Sequence, residues 1–229
     1  ILERVARKHG YRGLLHEKPF QGMNGSGKHN NISLLASNGD NIFDPGDNQT
    51  DNLPFLLFVS AFIECVNRYQ DLIRMASSNA GNDHRLGGNE APPAIMSVNL
   101  GAKLQELFDQ LKATTDMTPV QLKKLIAPIS NLTEQVIDGV DRNRTAPISF
   151  SGNKFEIRTL GSSMNAAQLN TVLCAGMAQS LETIADCLEK RDKSKEVNLH
   201  KRVLAICQDI IKDNACILYA GDCYRESWA

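Results

Sequence analysis

The sequence predicts an α+β fold. Three observations carry that expectation: the strand-like segments are short, long helical stretches separate them, and strand and helix never alternate with the regularity of a doubly wound sheet. Residues 1–8 read as the last turns of a helix, which Gly10 ends. Residues 11–16 are short and partly apolar, an expected strand. Residues 18–29 are rich in glycine and lack a helical period, and residues 30–36 read as another strand. Asn38-Gly39-Asp40 and Asp44-Pro45-Gly46-Asp47 are turn chemistry and make residues 38–52 a loop.

From residue 53 to about residue 77, Leu57, Ala61, Val66 and Ile73 lie on one broad helical stripe. Residues 79–93 are polar and aperiodic, a loop; residues 94–98 are an expected strand and residues 100–111 an amphipathic helix. Thr118-Pro119-Val120-Gln121 is a helix start, with a capping hydroxyl, proline at the first position and glutamine three residues after the cap. In residues 153–160 apolar Phe155 and Ile157 alternate with charged Lys154, Glu156 and Arg158, a strand of period two. Asn165, with Gln168 three residues on, opens a long helix to residue 190, and residues 197–214 form a second that packs against it.

With 229 residues, 42% hydrophobic and 22% charged, the chain has the makings of a globular core. A formal net charge of -1 supplies no global field for nucleic acid or an anionic membrane, and neither is an expected partner. The apolar stretch 53–66 is broken by Pro54, Ser60 and Glu64 and is too short to span a bilayer. The six cysteines include no Cys-x-x-Cys pair, and most occupy apolar helical positions, where the simplest role is a small buried hydrophobe; a disulfide framework or zinc site is the alternative. The compartment expected from this usage is reducing and cytoplasmic. With no initiator methionine, the chain reads as a fragment of a longer one.

Gly22 to Lys28 has most of the P-loop spacing, but His29 stands where Ser or Thr should follow, and a strand replaces the required helix. A glycine-rich loop still lets backbone N–H groups approach an anion, although a structural turn would account for the glycines equally well. Glu156 and Arg158, two apart on a strand, share a face with Lys154. Such a mixed-sign row is most simply a solvated face, yet a strand also fixes a carboxylate and a guanidinium better than a loop does. A lone histidine is usually structural; His29 stands out because it follows the glycine-rich loop.

These segments together resemble a known family. Lys18-Pro19-Phe20, Asn24-Gly25-Ser26-Gly27, His29 and Ser33 resemble the ATP-site signature of the glutamine synthetases. His16-Glu17, Lys28-His29-Asn30-Asn31, Gly81 to Leu86, Asn89-Glu90-Ala91-Pro92-Pro93, Asp141 to Thr145 and Gly152 to Glu156 are similar to the type III subfamily. The resemblance implies part of a catalytic domain across residues 1–229, with antiparallel strands forming an active-site sheet against long helices. It implies ligation of ammonia to the γ-carboxylate of L-glutamate with ATP, through γ-glutamyl phosphate, using Mg2+ or Mn2+.

Roles follow by position. The resemblance makes His29 and Glu156 metal ligands. Asn24, Gly25, Arg85 and Arg158 would hold glutamate, and Asn31, Ser33 and Lys154 would lie near ATP. Arg144 would stabilise the transferring phosphoryl group, and Glu90 would ride a flap between flexible Gly87-Gly88 and stiff Pro92-Pro93. A homo-oligomeric ring is implied for the full protein. Ala146-Pro147-Ile148-Ser149 lacks a second arginine that other glutamine synthetases carry near this point. The remaining metal carboxylates and a small amino-terminal domain are expected before Ile1 and further chain after residue 229, so the isolated fragment is expected to be inactive. A γ-glutamyl ligase for another amine, or a catalytically silent sensor or scaffold, are the rival readings; Glu90, Arg144 and Glu156 all being present counts against silence.

Overall fold

The computed structural model describes residues 1–45, 53–88, 90–113, 118, 120–121, 146–192 and 199–219. Helix α1 (Leu2–Lys8) carries no buried residue and ends at a turn where Gly10 adopts φ 76°. Strand β1 (Gly27–Ile32) follows, then α2 (Leu53–Ala76), α3 (Ala80–Arg85), β2 (Val98–Asn99), α4 (Ala102–Ala113), β3 (Ile148–Phe150), β4 (Phe155–Gly161), α5 (Ala167–Asp192) and α6 (Leu199–Asp213). The four strands form one sheet in the order β1-β4-β3-β2, antiparallel except for the short parallel β2–β3 pair. The mixed α+β organisation is the expected one.

Register gives the sheet two unlike faces. Ile32, Phe155 and Phe150 lie in one cross-strand row, and Ile157, Ile148 and Val98 in another. Both rows supply the apolar core beneath α2. The intervening row is Asn31, Glu156, Ser149 and Asn99, which is polar from edge to edge. Between the in-register pairs Lys28–Leu160 and Asn30–Ile157, one residue of β1 faces two of β4, so Arg158 and Thr159 form a bulge opposite His29.

The core is aromatic where the sheet meets α2. Phe62 stacks on Phe155 with ring centroids 3.9 Å apart, and Phe43 meets both rings edge-on. Helix α2 packs against α5 and α6 as well as the sheet and leaves helical geometry at Tyr69 (φ -115°, ψ 19°). Gly176 of α5 makes the crossing possible: a Cβ there would lie 2.7 Å from Cys65 Sγ and 2.8 Å from the Tyr69 ring. Five cysteines are free in the described residues; burial pushes the thiols of Cys65 and Cys207 up to about 12. Cys223 lies outside the described residues. No helix among the described residues is long and apolar enough to cross a membrane.

Several elements differ from the sequence expectation. Residues 11–16 form no strand and leave Tyr11, Leu14 and Leu15 exposed, because no described strand lies alongside to complete a ladder. The strand expected at 30–36 is Gly27–Ile32 instead: its partner β4 begins at Phe155, opposite Ile32, and the chain beyond turns back through the Leu35–Asn41 bridge. Of 94–98 only Val98 is strand, since β3 offers a parallel partner only to Val98 and Asn99. Within the loop expected at 79–93 lies α3, capped by Asn79, whose side chain accepts the N–H of Asn82. The capping box is present at Thr118 and Gln121, each side chain bonded to the other's backbone N–H; the rest of the expected helix lies outside the described residues.

Phe155 is fully buried and touches Phe43, Phe62 and Phe150. Phe155→Ala in the complete protein should cost about 3–5 kcal/mol by denaturant unfolding, the range for deleting a packed core aromatic. A loss under about 1 kcal/mol would mean that the sheet–α2 contact does not hold the fold.

Candidate functional site

The polar row of the sheet carries the first part of the site. Glu156 is held on β4 by its core-facing neighbours Phe155 and Ile157, both fully buried. From β1, His29 brings Nδ1 to 2.7 Å from Glu156 Oε1, and Arg158 Nη2 lies 3.2 Å from Glu156 Oε2. Burial alone would push the Glu156 carboxyl up; the charges of Arg158 and then His29 outweigh it and hold the group below its usual range. Arg158 itself is buried, with a side chain only 3% exposed, so this strand face is not the solvated row that its charges suggest.

The second part comes from α3. Beyond Ile157 the β3 partner runs out, and side chains of α3 take the carbonyls of β4. Asn82 Nδ2 donates to Thr159 O at 2.7 Å, Arg85 Nη1 to Leu160 O at 3.1 Å, and Arg85 Nη2 to Arg158 O at 3.3 Å. Asn82 also accepts from Arg85 Nη1. This fastens α3 across the bulge and satisfies backbone groups that the ladder leaves over. The guanidinium lies flat against β1, and only glycine leaves room: a Cβ on Gly27 would sit 2.1 Å from Arg85 Nη2.

A cavity of ≈ 170 Å³ opens at this junction, lined by Asn24, Gly25, Gly27, His29, Arg85, Glu90 and Ala91. Five residues singled out from the sequence thus meet in one place: Asn24, Gly25, His29, Arg85 and Glu90. Glu90 is exposed at the tip of a loop whose base is fixed, since Gly87 N–H bonds to Pro92 O and Ala91, Pro92 and Pro93 are buried. Asn31 lies opposite Glu156 in the sheet, Ser33 is exposed just past β1, and Lys154 stands half-buried before β4. None of these three lines the cavity. Arg144 lies outside the described residues.

Sequence reasoning missed Glu17. It is 2% exposed, and its Oε1 accepts from Ser163 N–H at 3.0 Å and Ser163 Oγ at 2.5 Å. Its environment supplies these donors from positions remote in the chain, a signal that inspection of residues 16–20 does not contain.

A divalent cation needs donors, and the described residues supply two. His29 Nδ1 and Glu156 Oε1 lie 2.7 Å apart, an imidazole and a carboxylate suited to Mg2+ or Mn2+. Among the described residues no third His, Cys, Asp or Glu joins them. The pair fits part of a metal site and does not complete one.

Because the folded pKa of Glu156 is depressed, its stabilisation is present above the unfolded carboxylate pKa, about 4.3, and is lost as pH falls through the lower folded value. Glu156→Gln in metal-free complete protein should therefore flatten the acid limb of the unfolding midpoint plotted against pH. An unchanged acid limb would show that the Arg158–Glu156–His29 row contributes no such linkage.

Comparison with known proteins gives the chain its relatives. Residues 1–79 match the family described as glutamine synthetase, catalytic domain. A glutamine synthetase of Bacteroides fragilis (strain YCH46) is 40% identical over 231 residues, covering 100% of this chain and 32% of its own length. The type-3 glutamine synthetase of Dictyostelium discoideum is 38% identical over 230 residues, covering 100% of this chain and 31% of its own length. A glutamine synthetase of Butyrivibrio fibrisolvens is 36% identical over 228 residues, 100% of this chain and 32% of its own. The chain spans about a third of the length of the curated relatives it matches. The solved structure "Apo GmaS without ligand" has a TM-score of 0.48 at 16% identity, over 93% of this chain and 43% of that one. Along its whole length this chain is a relative of the glutamine synthetases, the type 3 enzyme among them, and its residues 1–79 match their catalytic domain.

Proposed function

We propose that the protein containing this chain joins ammonia to the γ-carboxylate of L-glutamate, converting ATP to ADP and phosphate. The observation that supports this most directly is the meeting of Asn24, Gly25, His29, Arg85 and Glu90 around one cavity, from two stretches of the chain far apart in sequence. In this reading Asn24, the backbone at Gly25, Arg85 and Arg158 hold glutamate, and Asn31, Ser33 and Lys154 border the nucleotide. Arg144 offsets charge on the phosphoryl group as it passes from ATP to the γ-carboxylate. A divalent cation, held in part by His29 and Glu156, would supply neutralisation of the phosphate charges.

Ammonia then attacks the acyl carbon of γ-glutamyl phosphate, the C–N bond forms, and the C–O bond to phosphate breaks. Near pH 7 the nitrogen arrives mainly as ammonium and must give up a proton to attack, and Glu90, exposed on its anchored loop at the cavity, is the base assigned to receive it.

Glu90→Gln in the complete enzyme should lower the ammonia reaction by about 10²–10⁴, the usual worth of general-base help. Hydroxylamine is largely neutral near pH 7, so formation of γ-glutamyl hydroxamate should fall far less. Equal loss in both reactions would leave Glu90 only the task of closing the cavity.

Arg158→Lys tests the glutamate contact. Loss of a forked, charge-assisted contact should weaken glutamate binding by about 1.5–3 kcal/mol and leave nucleotide binding near normal in calorimetric titrations. Equal weakening of both ligands would assign Arg158 to holding Glu156 rather than glutamate.

A further inference from the structure

Residues 17–26 form a compact loop with a narrow neck. Ser26 N–H donates to Glu17 O at 2.8 Å, and Lys18 Nζ bonds to Met23 O inside the loop. Asn24 and Gly25, both cavity residues, sit on the returning limb. The neck is tight enough that a Cβ on Gly25 would lie 2.4 Å from Glu17 O and 3.0 Å from Arg85 Cγ.

The side chain of Glu17 continues inward from that neck into a cradle made by two glycines. A Cβ on Gly161, at the end of β4, would lie 2.3 Å from Glu17 Oε1; one on Gly81, in α3, would lie 2.9 Å from Oε2. Ser163 donates to Oε1 through N–H and hydroxyl, and Asn79, which caps α3, adds a longer contact at 3.4 Å. One residue therefore ties together the loop bearing Asn24, the helix bearing Arg85, and the end of β4. A buried carboxylate is costly to leave unpaired, so these donors and the glycine-lined space determine where the loop can sit.

We propose that Glu17 is a positioning residue for the cavity: it touches no reacting atom, but fixes the loop of Asn24 and Gly25 opposite Arg85. In its consequence for catalysis this rests on the proposed ligase reading, with glutamate held by Asn24, Gly25 and Arg85. Its consequence for the loop does not depend on any substrate. The nucleotide side, assigned to Asn31, Ser33 and Lys154, is not attached to Glu17 and should be spared.

The test uses the complete enzyme with Glu17→Ala, Glu17→Gln and Ser163→Ala. Glu17→Ala should raise KM for glutamate about tenfold while KM for ATP stays within about twofold, the tenfold step corresponding to about 1.4 kcal/mol. Glu17→Gln keeps an oxygen to accept from Ser163 and should restore most of the loss; Ser163→Ala should shift KM for glutamate the same way by about threefold. A parallel rise in both KM values, or no rise with Ser163→Ala, would overturn the proposal even where Glu17→Ala fails to fold. Amide exchange supplies the second arm: residues 24–27 should exchange about tenfold faster in Ser163→Ala and Glu17→Ala, with α2 and α5 unchanged. If the wild-type enzyme forms no γ-glutamyl product, the ligase reading fails, and the exchange arm alone decides for or against Glu17.

Discussion

Arg85 is the contact on which the arrangement of the site depends. Its guanidinium is buried, spans from α3 to the carbonyls of Arg158 and Leu160, and rests on β1 where Gly27 has no side chain to oppose it. A charge taken this far from water needs fixed partners, and here they include the Asn82 side chain and backbone oxygens that a continuous ladder would otherwise have used. The short helix α3 has few means of its own to stay folded. Its place is set by Asn79 capping its first turn and by Asn82 and Arg85 bonded to the sheet. The loop that carries Glu90 leaves the end of this helix, so the position of that carboxylate follows from a contact made elsewhere.

The sheet reconciles a core and a site within one thickness. Large apolar side chains on the buried rows hold β4 rigidly through Phe62 and Phe43, while the row between them presents Asn31 and Glu156. His29 and Arg158 then flank Glu156 from neighbouring positions and keep it charged despite its partial burial. Rigid support from one face and a charged row on the other is the arrangement by which a strand fixes donor atoms more closely than a loop can.

Much of this was legible in the sequence, for reasons that differ between elements. The helices α2, α4, α5 and α6 follow from apolar spacing, and the pair Phe155 and Ile157 correctly marks the buried side of β4. Asn24, Gly25, His29, Arg85 and Glu90 were nameable only through resemblance to a family, since their meeting depends on pairings between distant segments. Residues 11–16 misled because an apolar run resembles a strand whether or not a partner exists to pair with it. Glu17, and the burial of Arg158, were hidden for the opposite reason. A charged residue reads as solvated until the glycines and donors that enclose it are known, and Gly81, Gly161 and Ser163 lie far from Glu17 along the chain.

The bulge at Arg158 and Thr159 carries a consequence for the numbering of faces along β4. In a regular strand, even positions from Glu156 onward would all look one way, sending Leu160 toward the site and Gly161 into the core. The extra residue resets the parity: Leu160, paired with Lys28, is buried in the core, and Gly161, paired with Gly27, faces Glu17. Straightening the ladder with every residue retained would put a leucine in the cradle and strand a glycine in the core. Dropping one of the two bulge residues would instead keep Leu160 opposite Lys28 and Gly161 opposite Gly27, each on its present face. A one-residue gap at Arg158 or Thr159 when related sequences are compared therefore marks a lost bulge with both faces preserved.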